Sequence, residues 1–103
     1  MNASYLEGKV VAVFGAGGDT HRGVAMAIAA AGADVVVGGY ASDLAAEAAL
    51  HSIANEVWAT GRRSTVVTFV PDDSVSYAEA LRKARAELGH IELVLRCESV
   101  LEA

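Results

Sequence analysis

The feature that most constrains this chain is an alternation of short β-branched runs with stretches of helical spacing, each stretch closed by a glycine. Lys9 to Phe14 is the first run, and it stops at Gly15-Ala16-Gly17-Gly18. Val24, Ile28 and Ala31 then follow at helical spacing up to Gly32, a helix C-terminal glycine. Asp34 to Val37 is the second run, ended by Gly38-Gly39. Ser42 or Asp43 can cap a long helix with Leu44, Leu50, Ile53, Ala54 and Val57 on one stripe, stopped by Gly61. Thr65 to Val70 is the third run, closed by Pro71. Asp72, Asp73 or Ser74 can cap a helix carrying Val75, Ala78, Leu81, Ala84 (or Arg85) and Leu88, stopped by Gly89. Ile91 to Cys97 is the fourth.

Near-continuous apolar strands joined by helices predict an α/β domain with a parallel sheet and helical crossovers. Right-handed crossovers and a glycine turn after the first strand favour a four-stranded sheet in the order 3-2-1-4 with three crossover helices. No repeat, low-complexity tract or linker interrupts residues 1–103, which read as a single domain.

Composition narrows the function classes. With 53% hydrophobic and 20% charged residues and one proline, the 103-residue chain is not a disordered tail. A net charge of -5 excludes nucleic acid or an anionic membrane as the main partner. Mean hydropathy is +0.36, but the longest apolar stretch, Gly23 to Ala33, has eleven residues where a membrane span needs about 20, so no insertion is expected. No signal peptide precedes the first strand, and the lone Cys97 cannot form an internal disulfide; a reducing cytoplasmic setting follows. His21, His51 and His90 lie far apart, and no cluster has metal-ligand spacing.

Three segments resemble the short-chain dehydrogenase/reductase family: Leu6-Glu7-Gly8-Lys9-Val10-Val11-Ala12-Val13-Phe14-Gly15-Ala16, Ala30-Ala31-Gly32-Ala33-Asp34-Val35-Val36-Val37, and Glu87-Leu88-Gly89-His90-Ile91-Glu92. The resemblance covers nearly the whole chain and corresponds to the N-terminal half of such an enzyme. It implies a Rossmann-like, three-layer half-domain and NAD(P)-dependent redox chemistry. The family's catalytic Ser and Tyr-x-x-x-Lys fall beyond residue 103. Tyr5-Leu6-Glu7-Gly8-Lys9 matches the latter spacing by chance, ahead of the first strand, so no catalytic residue is assigned.

The cofactor positions that the resemblance points to are altered. The family's phosphate loop, Gly-x-x-x-Gly-x-Gly, counted from Gly15, places its second and third glycines at Asp19 and His21. A carboxylate roughly 4 Å from a phosphate, at an effective dielectric near 20, costs about 4 kcal/mol, and His21 is bulky where backbone should approach a pyrophosphate. Two readings stay open. Gly15, Ala16, Gly17 and Gly18 could form a re-shaped loop in which His21 and Arg22 meet an anion, with Tyr40 stacking on an adenine. Alternatively the loop is a plain strand-to-helix turn with Asp19 or Thr20 as N-cap. The end of the second strand, Gly38-Gly39-Tyr40, lacks the acidic residue that binds ribose hydroxyls. Phe69 stands at the family's adenine-contacting Asp, and Arg96-Cys97-Glu98-Ser99 at its Asn-Asn-Ala-Gly. Arg96 beside Cys97 is weak support for a reactive thiol. Glu47, Glu56, Glu79 and Glu87 read as solvated helix faces, His51 as solvated or partly packed, and Trp58 as an exposed contact residue.

The expected function is that of a non-catalytic pseudoenzyme module, a structural or regulatory subunit in a homo- or hetero-oligomer, with no cofactor or weakly held NAD(P). Its protein partner, a second copy or a larger subunit, would dock on the strand Ile91 to Cys97, whose outer edge has no fifth strand to cover it. The alternative is the nucleotide-binding part of an oxidoreductase whose catalytic half another chain supplies.

Overall fold

The computed structural model describes residues 5–40 and 43–97. Four strands alternate with three helices: β1 (Val10–Gly15), α1 (Asp19–Ala30), β2 (Asp34–Tyr40), α2 (Leu44–Ala59), β3 (Ser64–Phe69), α3 (Ser74–Leu88) and β4 (Leu93–Cys97). The sheet order is β3-β2-β1-β4, all pairs parallel, as the alternation of elements predicts. Val11, Val13, Val35 and Val37 are buried with Ala25, Ala29, Leu50 and Ile53 on the α1/α2 face; Val10, Ala12, Phe14 and Val36 are buried with Ala80, Ala84 and Leu88 on the α3 face. Because β1 and β2 are covered on both sides, each of their valines is sealed. Full burial of one such side chain contributes about 1.5–3 kcal/mol.

Asp43 and Asp73 cap α2 and α3, their carboxylates accepting the amides of Ala46 and Ser76 at 2.8 and 3.0 Å. Ser42, the other candidate for the first cap, lies outside the described residues. Asp34 binds both the amide and the guanidinium of Arg63, at 2.8 and 2.9 Å, which fixes where β2 and β3 begin to pair.

Three expectations about the helices are corrected. The N-cap of α1 is Gly18, with no capping side chain, and Asp19 is already helical. The buried stripe of α1 is His21, Ala25 and Ala29, while Val24 and Ile28 are only partly buried. On α3, Ala80, Ala84 and Leu88 are buried whereas Val75 is 72% exposed, and on α2 Leu44 is 84% exposed. On α1 and α3 alanines at i and i+4 face the sheet and larger neighbours are left at the rim or in water, whereas α2 buries Leu50, Ile53, Ala54 and Val57, and Leu44, its first residue, lies beyond that face. The fourth strand starts two residues later than predicted, at Leu93. Among the described residues no helix is long and apolar enough to cross a membrane.

Candidate functional site

All four strands end on one side of the sheet, where β1 turns into α1 and where ligands of open α/β folds bind. At that edge a crevice of about 250 Å³ runs across the strand ends. Phe14, Gly15 and Ala16 line it from β1, Gly39 and Tyr40 from β2, Ala46 and Leu50 from α2, Phe69 from β3, and Arg96 and Cys97 from β4. Its walls are mostly apolar, and Arg96 is the one charged residue among them. The Arg96 guanidinium carbon lies 5.3 Å from the centre of the Tyr77 ring.

The glycines of β2 are required by packing here. A Cβ on Gly38 would sit 2.4 Å from the Phe14 ring, and one on Gly39 2.9 Å from both the Gly15 carbonyl oxygen and Leu50. Phe14, the Gly15 carbonyl and Leu50 therefore exclude from positions 38 and 39 an acidic side chain of the kind that binds ribose hydroxyls in dinucleotide domains. Tyr40, read as a stacking platform for adenine, meets Phe69 edge-on at 5.2 Å and is 53% exposed.

The loop between β1 and α1 is closed from inside. His21 is 2% exposed. Its Nδ1 accepts the Gly17 amide at 3.0 Å, which leaves the proton on Nε2, and Nε2 donates to the Val13 carbonyl at 2.8 Å. The bond from Gly17 requires the neutral ring, whereas the Nε2–H bond to Val13 is compatible with either charge state. Burial holds its pKa below the ordinary 6.5, partly countered by the Val13 carbonyl. Gly15 serves this ring, since a Cβ there would come within 2.8 Å of the His21 Cγ. Gly17 adopts a φ of 86°, which a side chain would strain.

Arg22 does not turn toward the loop. Its Nε donates to both carboxylate oxygens of Glu56 on α2 at 2.9 Å, and that carboxylate raises the Arg22 pKa. Of the loop residues named from sequence, Gly15 and Ala16 line the crevice; Gly17 and His21 are bonded to each other, and Gly18 caps α1. Asp19 places a carboxylate in the first helical turn, where the helix dipole would otherwise favour an anionic ligand. These residues do not fit a dinucleotide pyrophosphate: an amide that would face it is bound by His21, a carboxylate stands beside it, and among the described residues β2 ends in Gly38-Gly39-Tyr40 without an acid for the ribose.

Cys97 has its thiol pushed up by burial, the opposite of an activated nucleophile. His51 and His90 are exposed, and among the described residues no three His, Cys, Asp or Glu side chains could hold a metal. Glu98 and Ser99 lie outside the described residues. The packing role of His21 was missed in the sequence, although its signal is present: His21, Ala25 and Ala29 are spaced i, i+4, i+8, so the histidine continues a stripe of small residues.

Comparison with known proteins agrees with this fold. No family model matches the chain. It is 37% identical over 94 residues to the hydroxynaphthalene reductase-like protein Arp2 of Metarhizium robertsii, a match covering 87% of this chain and 32% of that protein. Among solved structures, a short chain dehydrogenase from Mycobacterium avium superposes with a TM-score of 0.79 at 28% identity, over 94% of this chain and 34% of that one. A short-chain type dehydrogenase/reductase from Mycobacterium marinum gives 0.74 at 27% identity, over 86% and 34%. A blue fluorescent protein from a metagenomic library, solved with NADPH, gives 0.78 at 23% identity, over 91% and 36%, which shows the fold alone. The chain thus spans about a third of the length of the proteins it matches. By sequence and by fold it is related to the short-chain dehydrogenases/reductases and corresponds to their Rossmann half, with the cofactor motifs altered.

Proposed function

We propose that this chain is a non-catalytic Rossmann module of dehydrogenase type that acts as a structural or regulatory subunit of a homo- or hetero-oligomer. The observation that carries the reading is His21. The residue in place of the loop's third glycine is bonded at both ring nitrogens inside the loop, so the amide of Gly17 is spent on the protein itself. An exposed substitution could be neutral drift; a buried, doubly bonded one is part of how the domain packs. In this proposal the partner docks on the segment Ile91 to Cys97; the exposure of Leu93 and Val94, 46% and 38% on an apolar strand, supports the reading. The reducing cytoplasm, read from the single cysteine, is the compartment in this proposal.

Titration calorimetry with NADH and NADPH tests it. The expected result is no saturable binding below millimolar concentration. A micromolar Kd for either nucleotide would overturn it. Native mass spectrometry on the same sample gives the assembly, with a discrete dimer or hetero-oligomer expected and a monomer at micromolar concentration contrary to the proposal.

A second reading draws on the crevice, which persists across the strand ends. In it the chain is the NAD(P)-binding part of an oxidoreductase whose Ser and Tyr-x-x-x-Lys lie elsewhere. It requires the nucleotide to bind without the loop contacts His21 has taken, and a micromolar Kd in the same titration is its signature.

A further inference from the structure

We propose that the crevice at the strand ends binds a small planar aromatic monoanion, of the aromatic carboxylate class, with Arg96 as its charge partner. The inference rests on the reading that the phosphate loop no longer holds a dinucleotide, and it says what the same edge of the sheet recognises instead.

Size comes first. The crevice holds about 250 Å³, below the roughly 300–1,000 Å³ of pockets that enclose drug-sized ligands, so it suits one or two fused rings. The shape of its aromatic wall is set by ring contacts. Phe69 meets Phe14 at 5.6 Å and Tyr40 at 5.2 Å, both edge to face, and Tyr77 braces Phe14 and Phe69 from the α3 side at 5.4 and 5.1 Å. Rings locked this way hold their geometry without a ligand, so little freedom is lost on binding. Leu50, buried at 2% exposure, and Ala46 supply the opposite apolar wall.

Charge comes second. Among the described residues no carboxylate lines the crevice, and Cys97, whose thiol is pushed up by burial, adds no negative charge. Arg96 is thus the one ionic group among the described lining residues; like Arg85 it has no ion-pair partner among the described residues, whereas Arg22, Arg62, Arg63 and Arg82 each have one. Its seat on the Tyr77 ring limits its rotamers and pre-organises the planar guanidinium for bidentate pairing with a carboxylate. The chain as a whole carries a net charge of -5, which repels anions at a distance. Selection of an anion therefore falls on this single short-range contact, and the proposal stands or falls with Arg96.

The experiment is ¹⁵N-resolved NMR of the full chain, titrated with indole-3-carboxylate and, in parallel, with its neutral isostere indole-3-carboxamide. The expected result is saturable shifts of the Gly15, Ala16 and Gly39 amides, with the carboxylate bound at least tenfold more tightly than the carboxamide. Arg96→Gln should retain the native spectrum and erase that preference. Equal affinity for the two probes, shifts confined to other regions, no saturation, or an undiminished preference in Arg96→Gln would each overturn the proposal. A third titration with NADH separates it from the reading beneath it: saturable shifts at Gly17 to Arg22 refute the closed loop, whatever the two indoles do.

Discussion

Replacing His21 by Ala removes a ring that is 2% exposed and two hydrogen bonds, one from the Gly17 amide and one to the Val13 carbonyl. Each bond is worth about 0.5–1.5 kcal/mol net, and the lost ring leaves a cavity that the rigid β1 and α1 cannot fill, for a sum near 3 kcal/mol. In a domain of about 100 residues that lowers Tm by roughly 12–24 °C. The substitution also changes pH dependence. The folded-state pKa of His21 lies below the unfolded 6.5, so below about pH 6.5 the unfolded chain binds a proton that the native one resists. The contribution of the neutral ring is complete above pH 6.5 and is lost as pH falls from there toward the folded pKa. At pH 5.5 the loss from this one group is at most about 1.4 kcal/mol. Urea unfolding followed by far-UV circular dichroism at pH 7.5 and 5.5 reads both effects, for wild type and for His21→Ala. Wild type should lose more stability between the two pH values than the variant does. A variant within 0.5 kcal/mol of wild type at pH 7.5, or one with the same loss on acidification, would refute the loop-closing role.

Gly38→Ala pushes a Cβ to 2.4 Å from the Phe14 ring and should cost about 1–3 kcal/mol in urea unfolding, showing that the glycine at the end of β2 is kept for packing. Asp43→Ala removes the bond to the Ala46 amide at 2.8 Å and should cost about 1 kcal/mol by the same assay, with Asp43→Asn recovering most of it. Leu93→Lys, at a residue 46% exposed on β4, should leave Tm nearly unchanged while shifting the proposed oligomer toward monomer in sedimentation velocity.

The fold was legible because its signals are redundant. Each strand is a β-branched run, each helix ends at a glycine, and Gly32, Gly61 and Gly89 all take the positive φ that a helix stop uses. Asp43 and Asp73 were among the candidate caps because an aspartate before a helix has one obvious job. The helix stripes were less legible. On α1 and α3, hydropathy points to Val24, Ile28 and Val75, but the distance between helix and sheet selects alanine, and a chain so rich in alanine offers several faces of similar polarity. The loop was legible as an alteration and not as a replacement. Spacing showed a histidine where the family has glycine; only coordinates show that the ring turns inward and that Arg22 is taken by Glu56, 34 residues away in sequence.

The position of His21 explains why several departures occur together. A glycine there leaves the loop amides for a ligand and lets helix and strand approach closely. With an imidazole in that space, Gly15 must be a glycine to clear the ring, and the Gly17 amide gains a partner within the chain. Asp19 stands in the first turn of α1, where its charge complements the helix dipole. At the end of β2 Gly38 is held to glycine in the same way, by the Phe14 ring that lies over it. Gly15 and Gly38 thus each make room for a ring, His21 for the first and Phe14 for the second, at the same end of the sheet.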